Sequence, residues 1–256
     1  MHMPGYLEKA MIRFKHETPT KVQNSPHQHI EVKYGAKKQY IDKEVESPPF
    51  QKRMRNTFKQ YQAHSYTMGE QSTPPFSRSI ATEQVKLTEK MMATVKQLLD
   101  YCTTQEQAII TYTASKMILS IHSDAGYNNE KNARSRAGGH FFLSNIDHPP
   151  PNNGAIMTNA TIIKAVMSSA AEAELGALFL NAKVGVYLQQ ILTEMGHPQP
   201  RTPIQTNNTT AEGVINNKIQ PKRTKAMDMR LHWLRDCEAH GQFLIHWRPG
   251  KMNLAD

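Results

Sequence analysis

The stretch MILSIHS at residues 117–123 decides the fold that this sequence predicts. It is a short apolar run, which is typical of a buried β-strand. Residues 108–112 (AIITY) and 139–143 (GHFFL) predict two more strands, and residues 155–157 or 162–163 would supply a fourth. Three strands, followed by helices that alternate with strands, predict an α/β sheet domain.

The first helix after these strands has well-marked ends. Ser169, followed three residues later by Glu172, forms a capping box, so the helix is predicted to begin near Ala170. Gly196 and Pro198 are stop signals, and the helix is predicted to end just before them.

The remaining elements continue the alternation of strands and helices. Residues 204–206 predict a strand, and Thr209 with Glu212 forms a second capping box at the start of a short helix. Thr224 is predicted to cap a third helix, and residues 242–247 predict the last strand.

Asp124 directly follows the strand predicted at residues 117–123. A carboxylate at the exit of a strand lies where active sites built on sheets are found. The alternative is an ordinary turn aspartate before Ala125 and Gly126.

Two glutamates of the first helix have different explanations. Glu172 is accounted for by the capping box and by the favourable field at a helix N-terminus. Glu174 lies inside the helix beside Leu175 and Leu178, so its side chain is predicted to point towards the sheet. A buried carboxylate is costly unless it is paired or bound to a metal, so Glu174 is the preferred functional residue. An exposed helix glutamate is the alternative.

Asn207 and Asp256 have ordinary explanations when each is taken alone, as a turn or cap residue and as a frayed terminus. With Asp124 and Glu174, however, they form a set of oxygen ligands of the kind that Mg2+ needs. Metal-dependent phosphodiester hydrolysis is therefore the leading hypothesis. Asn207, an amide where the pattern requires an aspartate, is the main argument against full activity.

The chain is basic, with 31 Lys and Arg against 22 Asp and Glu, a formal net charge of +9 over 256 residues. This charge favours polyanionic partners, although a solvated positive surface is the alternative. One basic run is a candidate for contacts with a nucleic-acid backbone, or is a solvated linker. It comprises Lys218, Lys222, Arg223, Lys225 and Arg230.

The cellular environment is predicted from cysteines and apolar runs. Cys102 and Cys237 show no metal-type spacing, which indicates a reduced intracellular protein, cytoplasmic or nuclear. No apolar stretch follows the N-terminus and no run is expected to reach transmembrane length, so the protein is predicted not to be secreted and not to contact a membrane.

Residues 1 to about 85 are rich in proline and poor in apolar residues, so partial disorder is expected there, with short helices at residues 6–14 and 51–62. A better helix is predicted at residues 83–101, where Val95 and Leu98 share one face. We therefore predict two regions, residues 1–107 and residues 108–256.

Several of these motifs follow one another in a recognisable order. They are Asp124, SSAAEAEL at residues 168–175, IQTNN at 204–208, RTKAMDMRLH at 223–232 and NLAD at 253–256. In this order the sequence resembles the ribonuclease H domain of a copia-type retrotransposon Pol polyprotein. The resemblance is close over residues 108–256. It is looser over residues 1–107, where MPGYLEKA at residues 3–10 resembles the segment after the palm of the reverse transcriptase.

The resemblance implies a ribonuclease H-like five-stranded mixed sheet flanked by helices. It also implies cleavage of the RNA strand of RNA/DNA hybrids with Mg2+ or Mn2+, and no small-molecule substrate. Matched motif to motif, Asp124, Glu174 and Asp256 would be metal ligands. Asn207 stands at the remaining catalytic position, where the family has an acid.

Two departures from the family predict impaired activity. Asn207 removes one anionic oxygen, and the helix expected after Asp256 is missing, so Asp256 is expected to be held only by the strand before it. The sequence also lacks a Tyr-x-Asp-Asp motif, so we do not expect a polymerase. The alternatives are a catalytically dead nucleic-acid-binding remnant and a domesticated interaction protein.

Overall fold

The computed structural model describes residues 8–9, 11–12, 15–26, 89–105, 110–130, 133–219 and 228–256. The chain forms two compact units, one of residues 1–33 and 42–110, the other of residues 34–41 and 111–256. The division at residues 107 and 108 that the sequence suggests stays a prediction.

The described part of the first unit is built around helix α1, Glu89–Thr104. Val95, Leu98 and Leu99 are buried on one face, as the apolar spacing predicts. Residues 8–9 and 11–12 are helical, within the helix predicted at residues 6–14. The helix predicted at residues 51–62 and the first part of the one predicted at 83–101 lie outside the described residues.

The second unit contains a five-stranded sheet. Its strands are β1 Ile118–Glu130, β2 Arg134–Ser144, β3 Ala155–Ile162, β4 Thr202–Thr206 and β5 Phe243–Trp247. Their order is β3-β2-β1-β4-β5, with β1, β2 and β3 antiparallel and with β4 parallel to both β1 and β5. This is the mixed sheet that the resemblance implies.

Two strand predictions need correction. Residues 110–112, predicted as the end of a strand, have no regular secondary structure, and residues 106–109 lie outside the described part. Residues 155–157 and 162–163 were alternatives for one strand, but β3 spans residues 155–162 without a break.

Three helices accompany the sheet: α2 Ala170–Glu194, α3 Thr209–Ile215 and α4 Asp228–Ala239. The Ser169 hydroxyl accepts a hydrogen bond from the N–H of Glu172, as the capping box predicts. The second capping box is wrong, because the side chain of Asn208 caps α3 by accepting from the N–H of Ala211. Thr224, the predicted cap of α4, lies outside the described residues.

Helix α2 packs closely on the helix-covered face of the sheet. A Cβ on Gly185 would stand 2.8 Å from Cδ1 of Ile121 and 3.3 Å from the ring of Phe243, so the missing side chain lets the helix approach this closely. Alternation along β1 puts Leu119 and Ile121 on this face and His122 on the other. The buried core includes Leu119, Ile121, Phe141, Leu178, Ala182, Ile204, Leu231, Leu234 and Phe243.

Among the described residues, α2 is the one helix long and apolar enough to cross a membrane, a test that the core helix of a sheet domain also passes. The expectation that no run reaches that length is wrong by this test. The helix contributes Leu178 and Ala182 to the core, and it carries two buried carboxylates, Glu172 and Glu174.

Candidate active site

The sheet brings Asp124 and Asn207 together. Since β1 and β4 are parallel neighbours in which His122 is paired with Gln205, Asp124 and Asn207 come two residues later along the same edge. Nδ2 of Asn207 donates a hydrogen bond of 2.9 Å to Oδ1 of Asp124.

Asp124 lies within β1, not just beyond a strand as predicted. The pairing of β1 with β2 continues past it, with Asp124 opposite Gly138 and Gly126 opposite Arg136. Burial, and then the nearby charge of Asp256, raise the pKa of Asp124 to about 6, against the hydrogen bond from Asn207.

Glu174 comes from the first turns of α2 and is 6% exposed, in agreement with its predicted direction towards the sheet. Burial, and then the charge of Asp124, raise its pKa to about 8, while hydrogen bonds from the Ala125 backbone and the Thr206 side chain oppose the rise. Its Oε2 is buried without a hydrogen-bond partner. Glu174 is therefore a buried carboxyl group with one acceptor oxygen that its surroundings leave unused.

Asp256 is held near these residues by the segment before it. Nδ2 of Asn253 donates to the carbonyl of Ser123 at 2.9 Å, and the N–H of Leu254 donates to Nδ1 of His122 at 3.0 Å. Nε2 of Gln205 donates to the carbonyl of Met252 at 3.0 Å. The expectation that only the preceding strand holds Asp256 is therefore wrong.

Two glycines lie close to this arrangement. A Cβ on Gly138 of β2 would stand 2.7 Å from the carbonyl oxygen of Ala255, so the 253–256 segment lies directly against this strand. A Cβ on Gly250 would stand 3.6 Å both from Nδ2 of Asn207 and from Oδ2 of Asp256, an ordinary contact distance, so these two side chains both lie near Gly250.

The donor chemistry of the site fits a hard divalent cation. Asp124, Glu174 and Asp256 supply carboxylate oxygens, the ligands that Mg2+ prefers, and the Oε2 of Glu174 is an unused acceptor. The charge of Asp256 raises the pKa of Asp124, and the charges of Asp124 and Asp256 raise that of Glu174, yet the described part of the chain has no three His, Cys, Asp or Glu side chains already arranged as ligands. The residues therefore have the right chemistry for the metal and lie near one another. Their side chains are not directed at one common point among the described residues.

Of the five predicted basic residues, the structure describes Lys218 and Arg230. Lys218 forms an ion pair of 2.6 Å with Glu212, and the guanidinium of Arg230 lies 5.6 Å from the centre of the Phe179 ring. Lys222, Arg223 and Lys225 lie outside the described residues.

Sequence reasoning overlooked His122 and Gln205 as parts of the site. His122 is 2% exposed, and burial, followed by the charges of His140, His246 and Arg248, lowers its pKa to about 3. A histidine in an apolar strand is usually a core residue, so the strand pattern did not point to His122. Its position two residues before Asp124 was the one sequence feature that could have done so.

The strand order of the five-stranded mixed sheet and its flanking helices define a ribonuclease H-like fold. In sequence, the chain is 27% identical over 142 residues to the retrovirus-related Pol polyprotein from transposon TNT 1-94 of Nicotiana tabacum. The match covers 56% of this chain and 10% of that polyprotein, so the chain spans about a tenth of its relative's length. The predicted resemblance to copia-type retrotransposon polyproteins is confirmed. No family model matches the sequence.

Solved structures similar to this chain include ribonucleases H and a viral reverse transcriptase. LC11-RNase H1 in complex with an RNA/DNA hybrid is 12% identical, with a TM-score of 0.37 over 53% of this chain and 88% of that chain. RNase H1 from Halobacterium salinarum is 12% identical, with a TM-score of 0.33 over 54% and 89%. The prototype foamy virus protease-reverse transcriptase is 12% identical, with a TM-score of 0.37 over 79% and 25%. Because these scores are low, the fold assignment rests on the strand order of this chain's own sheet.

Proposed function

We propose that the sheet domain is a retroelement-derived ribonuclease H that binds RNA/DNA hybrids and cleaves their RNA strand slowly with Mg2+ or Mn2+. The observation that supports this most is the proximity of Asp124, Glu174 and Asp256 at one edge of the sheet, with Oε2 of the buried Glu174 left without a hydrogen-bond partner. Mutual repulsion between neighbouring carboxylates is relieved when they bind a divalent cation.

The chemistry of the bound ion would be the activation of water and the stabilisation of charge at the scissile phosphate. Asp124 and Glu174 would hold it from β1 and α2, and Asp256 from the segment that lies against β1 and β2. With a pKa near 8, Glu174 carries a proton at neutral pH and must release it to act as a ligand. Metal binding would therefore release protons.

Asn207 is the reason that we propose slow cleavage. Its Nδ2 is directed at Asp124, where it neutralises part of the charge that a metal would otherwise balance. An amide oxygen is also a weaker ligand than a carboxylate. The same contact favours a second candidate function, a domain that binds hybrids without cutting them.

The experiment that tests the proposal is hybrid cleavage in Mg2+ and in Mn2+ by the unmodified chain and by Asn207→Asp. Asn208→Asp is the matched control, since it adds the same charge one residue away and aspartate keeps the cap of α3. We expect slow cleavage by the unmodified chain, faster cleavage by Asn207→Asp and no gain from Asn208→Asp.

The other outcomes separate the two candidates. Cleavage by Asn207→Asp alone would mean that the native chain is a hybrid-binding protein with a dormant site, and its binding should weaken as salt rises. No cleavage by either protein and no binding would reject both candidates.

A further inference from the structure

A single side-chain acceptor on β1 connects Asp124 to the segment that carries Asp256. Nδ1 of His122 accepts a hydrogen bond of 3.0 Å from the N–H of Leu254, a residue 132 positions away in sequence. His122 lies two residues before Asp124, and Leu254 lies two residues before Asp256. The bond therefore joins the chain just before Asp124 to the chain just before Asp256, although these two carboxylates are 132 positions apart in sequence.

The ring of His122 is held in the orientation that this bond needs. Phe142 on β2 meets it edge to face, with ring centres 5.0 Å apart and planes at 89°, and the ring of His140 lies 6.3 Å away. His122 is 2% exposed, so the surrounding side chains leave its ring little freedom to turn. Nδ1 is thus a preorganised acceptor.

A second bond anchors the same segment, but through the backbone of β1. Nδ2 of Asn253, a residue 7% exposed, donates to the carbonyl of Ser123 at 2.9 Å. This contact fixes where the segment crosses β1. The bond to His122 comes one residue later and fixes the direction in which the chain continues towards Asp256.

We propose that His122 is a positioning residue, which orients the carboxylate of Asp256 towards Asp124 and Asn207 by accepting the hydrogen bond of Leu254. The inference rests on the proposed function, since it concerns the same carboxylates. It assigns no contact with metal or substrate to His122 itself. A group that orients a metal-binding carboxylate from behind affects metal affinity without being a ligand.

Two substitutions distinguish this role from simple packing. His122→Leu keeps apolar bulk and removes the acceptor. His122→Asn keeps an acceptor, because Oδ1 of asparagine lies close to where Nδ1 of histidine lies, but it removes much of the ring. His122→Phe is a second variant without an acceptor, in case the leucine variant does not fold.

The experiment measures hydrogen exchange at the amide of Leu254 in the metal-free full chain, and Mg2+ affinity by calorimetry. In His122→Leu we expect roughly five- to tenfold faster exchange at Leu254, the loss expected for one hydrogen bond. We expect Mg2+ affinity to fall roughly tenfold in the same variant. His122→Asn should restore both values towards those of the unmodified chain.

Two results would overturn the inference alone: unchanged exchange and unchanged affinity in His122→Leu, or an asparagine variant as impaired as the leucine variant. The second result would mean that packing of the His122 ring, and not its hydrogen-bond acceptor, maintains the Mg2+ affinity. An unmodified chain that binds no Mg2+ would overturn the proposed function together with this inference. If instead the unmodified chain and all variants bind Mg2+ equally well, only the inference about His122 is overturned.

Discussion

The amide of Asn207 is hydrogen-bonded to the carboxylate of Asp124, its neighbour across the parallel pair β4 and β1, at 2.9 Å. A neutral donor thus stands where an aspartate would place a second negative charge beside Asp124. Because the amide of Asn207 is neutral and donates to Asp124, it stabilises the metal-free site. Because it is neutral, it also lowers the affinity of the site for a metal ion.

Replacing Asn207 by aspartate should therefore change stability in opposite directions without and with metal. In the metal-free protein, Asn207→Asp removes a hydrogen bond and adds a like charge beside Asp124, so the free energy of unfolding should fall by about 1–2 kcal/mol. With saturating Mg2+ the loss should shrink or reverse. Denaturant unfolding in EDTA and in Mg2+ measures both, with Asn208→Asp as the control; equal losses in the two buffers would contradict the prediction.

The raised pKa of Glu174 gives a defined dependence of stability on pH. Its ordinary value is 4.5 and its value in the folded chain is about 8. Between these values the unfolded chain has lost the proton and the folded chain keeps it, so metal-free stability falls as pH rises through this window. The cost is absent below pH 4.5 and complete above pH 8.

Histidines oppose this trend only in its lower part. Burial lowers the folded pKa of His122, His140 and His246 below the ordinary 6.5, so their contribution makes stability rise with pH up to about 6.5. The decline between pH 6.5 and 8 should therefore be visible in denaturant unfolding, and Glu174→Gln should remove it. A decline of equal slope in the variant would assign the effect to another group.

Mg2+ should raise the melting temperature of the unmodified chain and not that of Glu174→Gln. Binding to the folded state alone stabilises by about 2.7 kcal/mol at a metal concentration 100 times the Kd. The matched control is Glu172→Gln, in which a buried carboxylate bonded to the N–H and hydroxyl of Ser168 is lost instead. This control should melt earlier but keep the Mg2+ response, and loss of the response in both would mean that helix α2 itself had been disturbed.

Gly185→Ala should destabilise the domain in spite of the better helix propensity of alanine. The added Cβ would stand 2.8 Å from Cδ1 of Ile121, and overpacking of this kind costs about 1–3 kcal/mol. Helix propensity returns up to about 1 kcal/mol. Ile121→Val removes the opposing methyl group, so the double variant should be less destabilised than the sum of the two single variants in denaturant unfolding.

Apolar runs in the sequence predicted most of the sheet. The predicted strand limits were wrong where the strands continue through polar residues. The apolar run in β1 stops at residue 123, but the ladder with β2 continues to Gly126 and Arg136 because hairpin strands need no apolar residues to pair. In β3 the polar pair Thr158 and Asn159 interrupts the pattern. Asn159 is nevertheless buried, because its amide bonds to Asn181 of α2 at 3.0 Å.

The order of motifs in the sequence indicated Asp124, Glu174, Asn207 and Asp256 as site residues, which stays a prediction, and Glu174 could be separated from Glu172 by its place inside the helix. What holds Asp256 could not be foreseen. The bonds of Asn253 and Leu254 to β1 join positions 130 and 132 apart, and no local pattern reports such contacts.

The wide separation of these positions also determines when the site can exist. Asp124 and Asp256 come close only after β4 has paired with β1 and residues 253–256 have bonded to β1. Contacts of such high sequence separation pay the entropy of closing long loops and form late in folding. The repulsion that Asp256 adds to Asp124 and Glu174 therefore arises only when residues 253–256 reach β1, after the pairing of β1 with β4 has brought Asn207 to Asp124.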